Sequence, residues 1–221
     1  MVQLKNYETY WTNTDWDAKI GGLDNFGPYS GGETSHPCRE NTRKHIKKLK
    51  GIKTMLDVGC GAAAVEYWGI KEECPKIKYT AVDITPKFVE HLVNTHGIDA
   101  VNASSEDLPF EDDSFDLVHT RHMTLHMAQF EKAYDEMIRV AKKYVFEIYA
   151  MGPMGMDGME GPEYVSPHHE ANTTPNYVYE NRYSKARIED YLKNNKKVKS
   201  WEWVDVSEFK NSTYLLKIKV S

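Results

Sequence analysis

Along this chain, short apolar runs alternate with stretches of helical spacing, the pattern of an α/β domain. Met55, Leu56 and Val58 predict a strand that breaks at Gly59 and Gly61, after which Ala62, Ala63 and Ala64 predict a helix start. That helix should run to the Cys74-Pro75 boundary, because proline disfavours helix in the residue before it. Lys78 to Ile84 reads as the next strand. Pro86 to His96 follows as a helix, with Thr85 as its N-cap and Phe88, Leu92 and Val93 inward. Phe115 to Thr120 predicts a further strand, Ala128 to Lys142 a helix with Ala133, Met137 and Val140 inward, and Tyr144 to Tyr149 a strand.

At the flanks, Arg39 to Lys50 predicts a helix stopped by Gly51, and Ser184 caps a last helix, "SKARIEDYLKNN". Two strands, Val198 to Val206 and Thr213 to Val220, close the chain. In the second, Tyr214, Leu216, Ile218 and Val220 alternate with Leu215, Lys217 and Lys219, which suits an antiparallel pair with one wetter face. Two stretches predict no regular element. Residues 1–36 mix Tyr7, Tyr10, Trp11, Trp16, Phe26 and Tyr29 with a glycine-rich run, and read either as a lid or as a surface arm packed by its own aromatics. Residues 150–183 carry Gly152, Gly155, Gly158 and Gly161 and read as a long irregular run in which His168 and His169 are polar loop residues.

With 221 residues the chain is long enough for one α/β domain and short for two, so a single domain over 1–221 is expected. Its 28 lysines and arginines stand against 33 acidic residues, a formal charge of -5, which argues against nucleic acid as a partner. The start lacks the apolar centre of a signal peptide and no run of eighteen apolar residues occurs, so a cytoplasmic chain without a membrane partner is expected. Three widely spaced cysteines, Cys38, Cys60 and Cys74, read as reduced thiols, and Cys60 as a small side chain tolerated inside the glycine turn.

The chemistry centres on that turn. Gly59, Gly61 and Ala64 fit the dinucleotide fingerprint G-x-G-x-x-G/A, a pattern with many chance matches. Asp57, two residues before the first glycine, would repel a diphosphate there and suits a ligand bearing an ammonium or sulfonium. Asp83 stands at the tip of the next strand, 22 positions after Gly61, where a carboxylate accepts the hydroxyls of an adenosine ribose in nicotinamide and adenosylmethionine sites alike. The strand ending at Thr120 delivers "TRHMTLHM" to the same end of the sheet. His122 and His126 are four apart, but Met123 replaces the glutamate of a zinc-protease helix, so no metal is expected.

"LDVGCGAAAVE" resembles the first motif of the class I S-adenosylmethionine-dependent methyltransferases, D-x-G-x-G-x-G, with Asp57, Gly59 and Gly61 matching and Ala63 in place of the third glycine. "GIDAVNASSEDLPFEDDSFDLVHT" is similar to the same family's run from its third strand, through an adenine-contacting loop usually written G-D-A-E-x-L-P-F, into its fourth; Ser104 replaces the aspartate. The nearest likeness is to the ubiquinone/menaquinone-methyltransferase-like, type 11 group. The resemblance implies a Rossmann-like three-layer sandwich, a mostly parallel seven-stranded sheet with an antiparallel C-terminal hairpin. It implies S-adenosyl-L-methionine bound by Asp57, Gly59, Cys60, Gly61, Asp83, Ile84, Ser104, Ser105, Glu106 and Thr120, with Tyr10 closing from the N-terminal segment. Arg121, His122 and His126 would then face the methionine end or the acceptor, His122 being the residue best placed to act as a base or orienting group, and 150–183 becomes an acceptor-binding insertion or a disordered loop. No N-P-P-Y-type tetrapeptide follows the fourth strand, so the resemblance implies a small-molecule acceptor and in-line methyl transfer. An NAD(P)-dependent oxidoreductase and a non-catalytic S-adenosylmethionine-binding protein are the alternatives.

Overall fold

A computed structural model describes residue 12 and residues 37–150, 164–169, 177–207 and 213–220. Strand β1 (Thr54–Val58) lies at the centre, paired in parallel with β2 (Lys78–Asp83) on one side and β4 (Phe115–Arg121) on the other. The sheet runs β3-β2-β1-β4-β5-β9-β8, with β3 (Ala100–Asn102) and β5 (Ala141–Ala150) also parallel to their neighbours. The last two strands, β8 (Val198–Asp205) and β9 (Thr213–Val220), are antiparallel. Strand order reverses between β1 and β4, and in an open parallel sheet ligands bind at such a reversal, outside the carboxyl ends of the strands.

Strand side chains alternate between two covered faces. On one face Met55, Leu117, Phe146 and Leu215 pack with Ile46 of helix α1 (Pro37–Lys48), Ile70 of α2 (Val65–Glu73) and Leu92 of α3 (Pro86–His96). On the other, Leu56, Val58, Val118 and Leu216 pack with Ala133 and Met137 of α4 (Glu131–Val140) and with Ile188 and Leu192 of α5 (Lys185–Asn194). Two helical layers around one sheet make the Rossmann-like sandwich. The Ser184 hydroxyl accepts the Arg187 N–H and starts α5 at the predicted cap.

Five expectations change. The alanines do not begin α2: Ala64 sits in the left-handed region at φ 39°, continuing the glycine turn, and the helix starts at Val65. Val93 is 43 % exposed, while α3 buries Phe88, Val89, His91 and Leu92. Thr85 precedes α3 without a side-chain cap bond. Helix α4 is shorter than its apolar spacing suggests, since Ala141 is already paired with Phe115 and pulls the chain into β5. Leu215 is buried rather than wet, under Phe146 and Val206.

The run 150–183 also contains structure. Tyr164–His169 (β6) pairs antiparallel with Tyr177–Arg182 (β7) as a separate two-stranded sheet, so His168 and His169 are strand residues. Tyrosine and valine favour extended backbone, and Pro167 is tolerated because both strands of a two-stranded sheet are edges.

Candidate active site

The turn after β1 is tied to the tip of β2. The N–H groups of Gly59 and Cys60 donate to the Val82 carbonyl at 2.8 and 3.1 Å, and the Gly61 N–H donates to Oδ2 of Asp83 at 2.8 Å. Both glycines are left-handed, at φ 72° and 67°. A Cβ on Gly59 would lie 2.7 Å from Cγ of Met123, whereas one on Gly61 would meet nothing within 4 Å. Met123 therefore fills the space beside Gly59, and Gly61 borders the open crevice. Asp83 is 7 % exposed and its Oδ1 accepts the Thr85 N–H at 2.9 Å. Burial pushes its carboxyl pKa up, against the lowering effect of the Thr85 and Gly61 N–H groups. Each oxygen retains acceptor capacity beyond its one backbone bond.

The crevice is lined on this side by Gly59, Gly61, Asp83 and Ile84, and across it by Ser105, Arg121, His122 and His126, so eight of the predicted residues meet there. Phe88, Ala103, Met123 and Met127 complete much of the wall. Phe88 was legible only as an inward helix position, and the two methionines carried no signal at all. His122 has φ 56°, a left-handed backbone unusual for a residue with a side chain, and its N–H donates to the Ile148 carbonyl at 3.1 Å. His126 ends a short 3-10 turn, Thr124–His126.

Asp57 and Cys60 line an adjoining polar pocket with Gly59, Arg39, Val65, Glu66 and Arg121. Asp57 is 3 % exposed; the Tyr79 hydroxyl donates to its Oδ2 at 2.5 Å, and Nδ1 of His119 lies 2.7 Å from its Oδ1. Burial works against the charged imidazole of His119, but the Asp57 charge and hydrogen bond outweigh it and raise the pKa. In the wall of this pocket, Nη1 of Arg39 stands 3.7 Å from Oε1 of Glu66, and both side chains are buried. Burial pushes the Cys60 thiol well above its usual pKa, so it stays protonated.

Three predicted residues act locally. Thr120 is buried and its hydroxyl donates to the Val58 carbonyl at 2.8 Å, bracing the two central strand tips. The Ser104 hydroxyl accepts the Glu106 N–H at 3.2 Å and shapes the loop after β3; Glu106 itself lies 3.9 Å from Lys132. Helix α4 clamps that loop, with Arg139 donating to the carbonyls of Phe110 and Leu108 at 2.7 and 2.9 Å. Tyr10, with residues 1–36 apart from residue 12, lies outside the described residues.

A methyltransferase domain family (Methyltransf_11) matches residues 56–145, from the core of β1 into β5. Over that segment the chain is similar to a methyltransferase domain. It is 33 % identical over 101 residues to a probable phthiotriol/phenolphthiotriol dimycocerosates methyltransferase 2 of Mycobacterium ulcerans, a match covering 44 % of this chain and 39 % of that one. The match thus spans about two-fifths of that relative's length. Among solved structures, an S-adenosylmethionine-dependent methyltransferase from Clostridium acetobutylicum superposes with a TM-score of 0.61 at 15 % identity, over 84 % of this chain and 91 % of that one. Another from Aquifex aeolicus does so with a TM-score of 0.56 at 21 % identity, over 83 % and 89 %. These two likenesses are of fold. Among the described residues no group of three metal-ligating side chains occurs, and no helix is long and apolar enough to cross a membrane.

Proposed function

We propose that the protein moves the methyl group of S-adenosylmethionine to a small-molecule acceptor by in-line displacement. The observation that carries this reading is that the crevice and the polar pocket share Gly59 and Arg121. One trough so divided offers apolar walls and a ribose acceptor to an adenosine, and paired charges to an amino-acid end. A dinucleotide would place its diphosphate against Asp57 and Glu66, which repel it.

The donor set fits the cofactor. Asp83 accepts the ribose hydroxyls, Ile84 and Phe88 face the adenine, and Ser105 offers a hydroxyl to its edge. Arg39 and Arg121 bind the carboxylate, while Asp57 and Glu66 favour the ammonium. When bound, the cofactor supplies an electrophilic methyl on a sulfonium. The protein aligns the acceptor with it, excludes water and, for an acceptor that must lose a proton, takes that proton at His122. His126 and Arg121 orient the acceptor. The hairpin β6–β7 packs its second strand against the turn Thr124–His126, which supports the insertion as the acceptor's cover; the lid role of residues 1–36 belongs to the same proposal.

Incubation with methyl-labelled S-adenosylmethionine and a fractionated cell extract tests this. Label is expected in the small-molecule fraction. Label confined to nucleic acid or protein would overturn the acceptor class.

A further inference from the structure

Beneath the turn that carries His126 lies a carboxyl group that the transfer chemistry does not use. Glu147, on β5, is fully buried, and its Oε1 accepts a hydrogen bond from the hydroxyl of Thr124, the first residue of the turn. Tyr134 of α4 and Tyr149 of β5 stand beside it with their hydroxyls bonded to each other. Burial, opposed by the hydroxyls of Thr124, Tyr134 and Tyr149 and by the charge of His119 on β4, holds the carboxyl pKa up at about 7. Its partner across the ladder on β9, Leu216, is apolar. An amide or an apolar residue in this place would spare the chain a buried charge.

The turn above Glu147 is where the parts of the site meet. Met123 fills the space beside Gly59. Ser105, in the loop after β3, directs its hydroxyl to Sδ of Met127 at 3.9 Å. The Tyr183 hydroxyl, just beyond β7, donates to the Met127 carbonyl at 2.6 Å. A shift of Thr124 would therefore reach the glycine turn, the loop after β3 and the hairpin together.

Resting on the methyltransferase reading of this crevice, we propose that Glu147 is a positioning residue. Through Thr124 it fixes the turn Met123–Met127 at the crevice, and gain or loss of its proton moves that turn. In the ionised state the carboxylate only accepts, so the Thr124 hydroxyl points down to it; in the protonated state the carboxyl competes as a donor and the hold on Thr124 loosens.

The two crevice methionines report the turn. In the full chain labelled with methyl-carbon-13 methionine, the Met123 and Met127 signals are expected to step with pH at a midpoint near neutrality. Glu147→Gln keeps an acceptor for Thr124 and should abolish the step; Thr124→Val leaves the carboxyl and should abolish it too. Both variants should bind S-adenosylhomocysteine at pH 8 at least threefold more weakly than the native chain. A step that survives in the variants belongs to the crevice histidines and overturns the proposal, as does unchanged affinity. If the native chain shows the step but binds no S-adenosylhomocysteine, the methyltransferase reading falls while the link between Glu147 and the turn stands.

Discussion

The backbone N–H of Gly61 donates to Oδ2 of Asp83 across 2.8 Å, so the turn after β1 and the tip of β2 form one unit although 22 residues separate them. The same carboxylate anchors Thr85 at the start of α3. One side chain thus sets the shape of the turn and supplies the acceptor expected to meet the ribose.

Asp83→Ala should weaken S-adenosylhomocysteine binding on the order of tenfold or more, since donors left unpaired cost about 1–3 kcal/mol. Asp83→Asn keeps one acceptor oxygen and should lose less. Calorimetry decides it, and unchanged affinity in the alanine variant removes the ribose role.

The two turn glycines should respond differently to alanine. Both substitutions meet the left-handed backbone, worth roughly 1 kcal/mol. Gly59→Ala also drives a Cβ to 2.7 Å from Met123, whereas Gly61→Ala enters open space. Thermal unfolding should show Gly59→Ala the less stable by a further 1 kcal/mol or so, the order of an overpacked contact. Equal melting temperatures would show that Met123 can step aside.

Arg39→Met and Arg121→Met separate the two ends of the trough. Each should weaken S-adenosylhomocysteine, which has an amino-acid end, while leaving 5′-methylthioadenosine, which lacks it, within about twofold. Parallel losses for both ligands would place the arginines elsewhere in the site.

Glu147 makes a prediction about stability and pH. Its folded pKa of about 7 lies above the ordinary 4.5, so the folded state holds the proton more tightly than the unfolded one. Its contribution is fully present below pH 4.5 and is lost as pH rises from there through 7. Glu147→Gln should therefore match the native chain near pH 4.5 and exceed it by about 3 kcal/mol at pH 8, in denaturant titrations at the two pH values. A gap that does not change with pH would mean the carboxyl keeps its usual pKa.

Local sequence carried much of this architecture. The β1 run, the paired glycines, Asp83 at a strand tip and the Ser184 cap are short-range signals, each readable from a few neighbouring residues, and the alternation in β9 announced an antiparallel partner. What sequence could not supply depends on distant pairing. His119 reaches Asp57 across 62 positions, and no local pattern marks it. Arg39 reads as one basic residue among many on a helix until α2 brings Glu66 beside it. The hairpin β6–β7 was hidden because the glycines before it dominate the composition, and its two short strands become strands only once residues 164–169 pair with 177–182. Ala64 misled for a related reason: helix propensity favours alanine, but the backbone of the turn had already fixed its neighbours.

The central claim is that this crevice takes an adenosine compound with an amino-acid end. A calorimetric titration of the purified chain with S-adenosylhomocysteine, run beside one with NAD, tests it most directly. The account predicts saturable one-to-one binding of S-adenosylhomocysteine and none of NAD. Binding of NAD alone would contradict it, and the glycine turn would then be a diphosphate site despite Asp57.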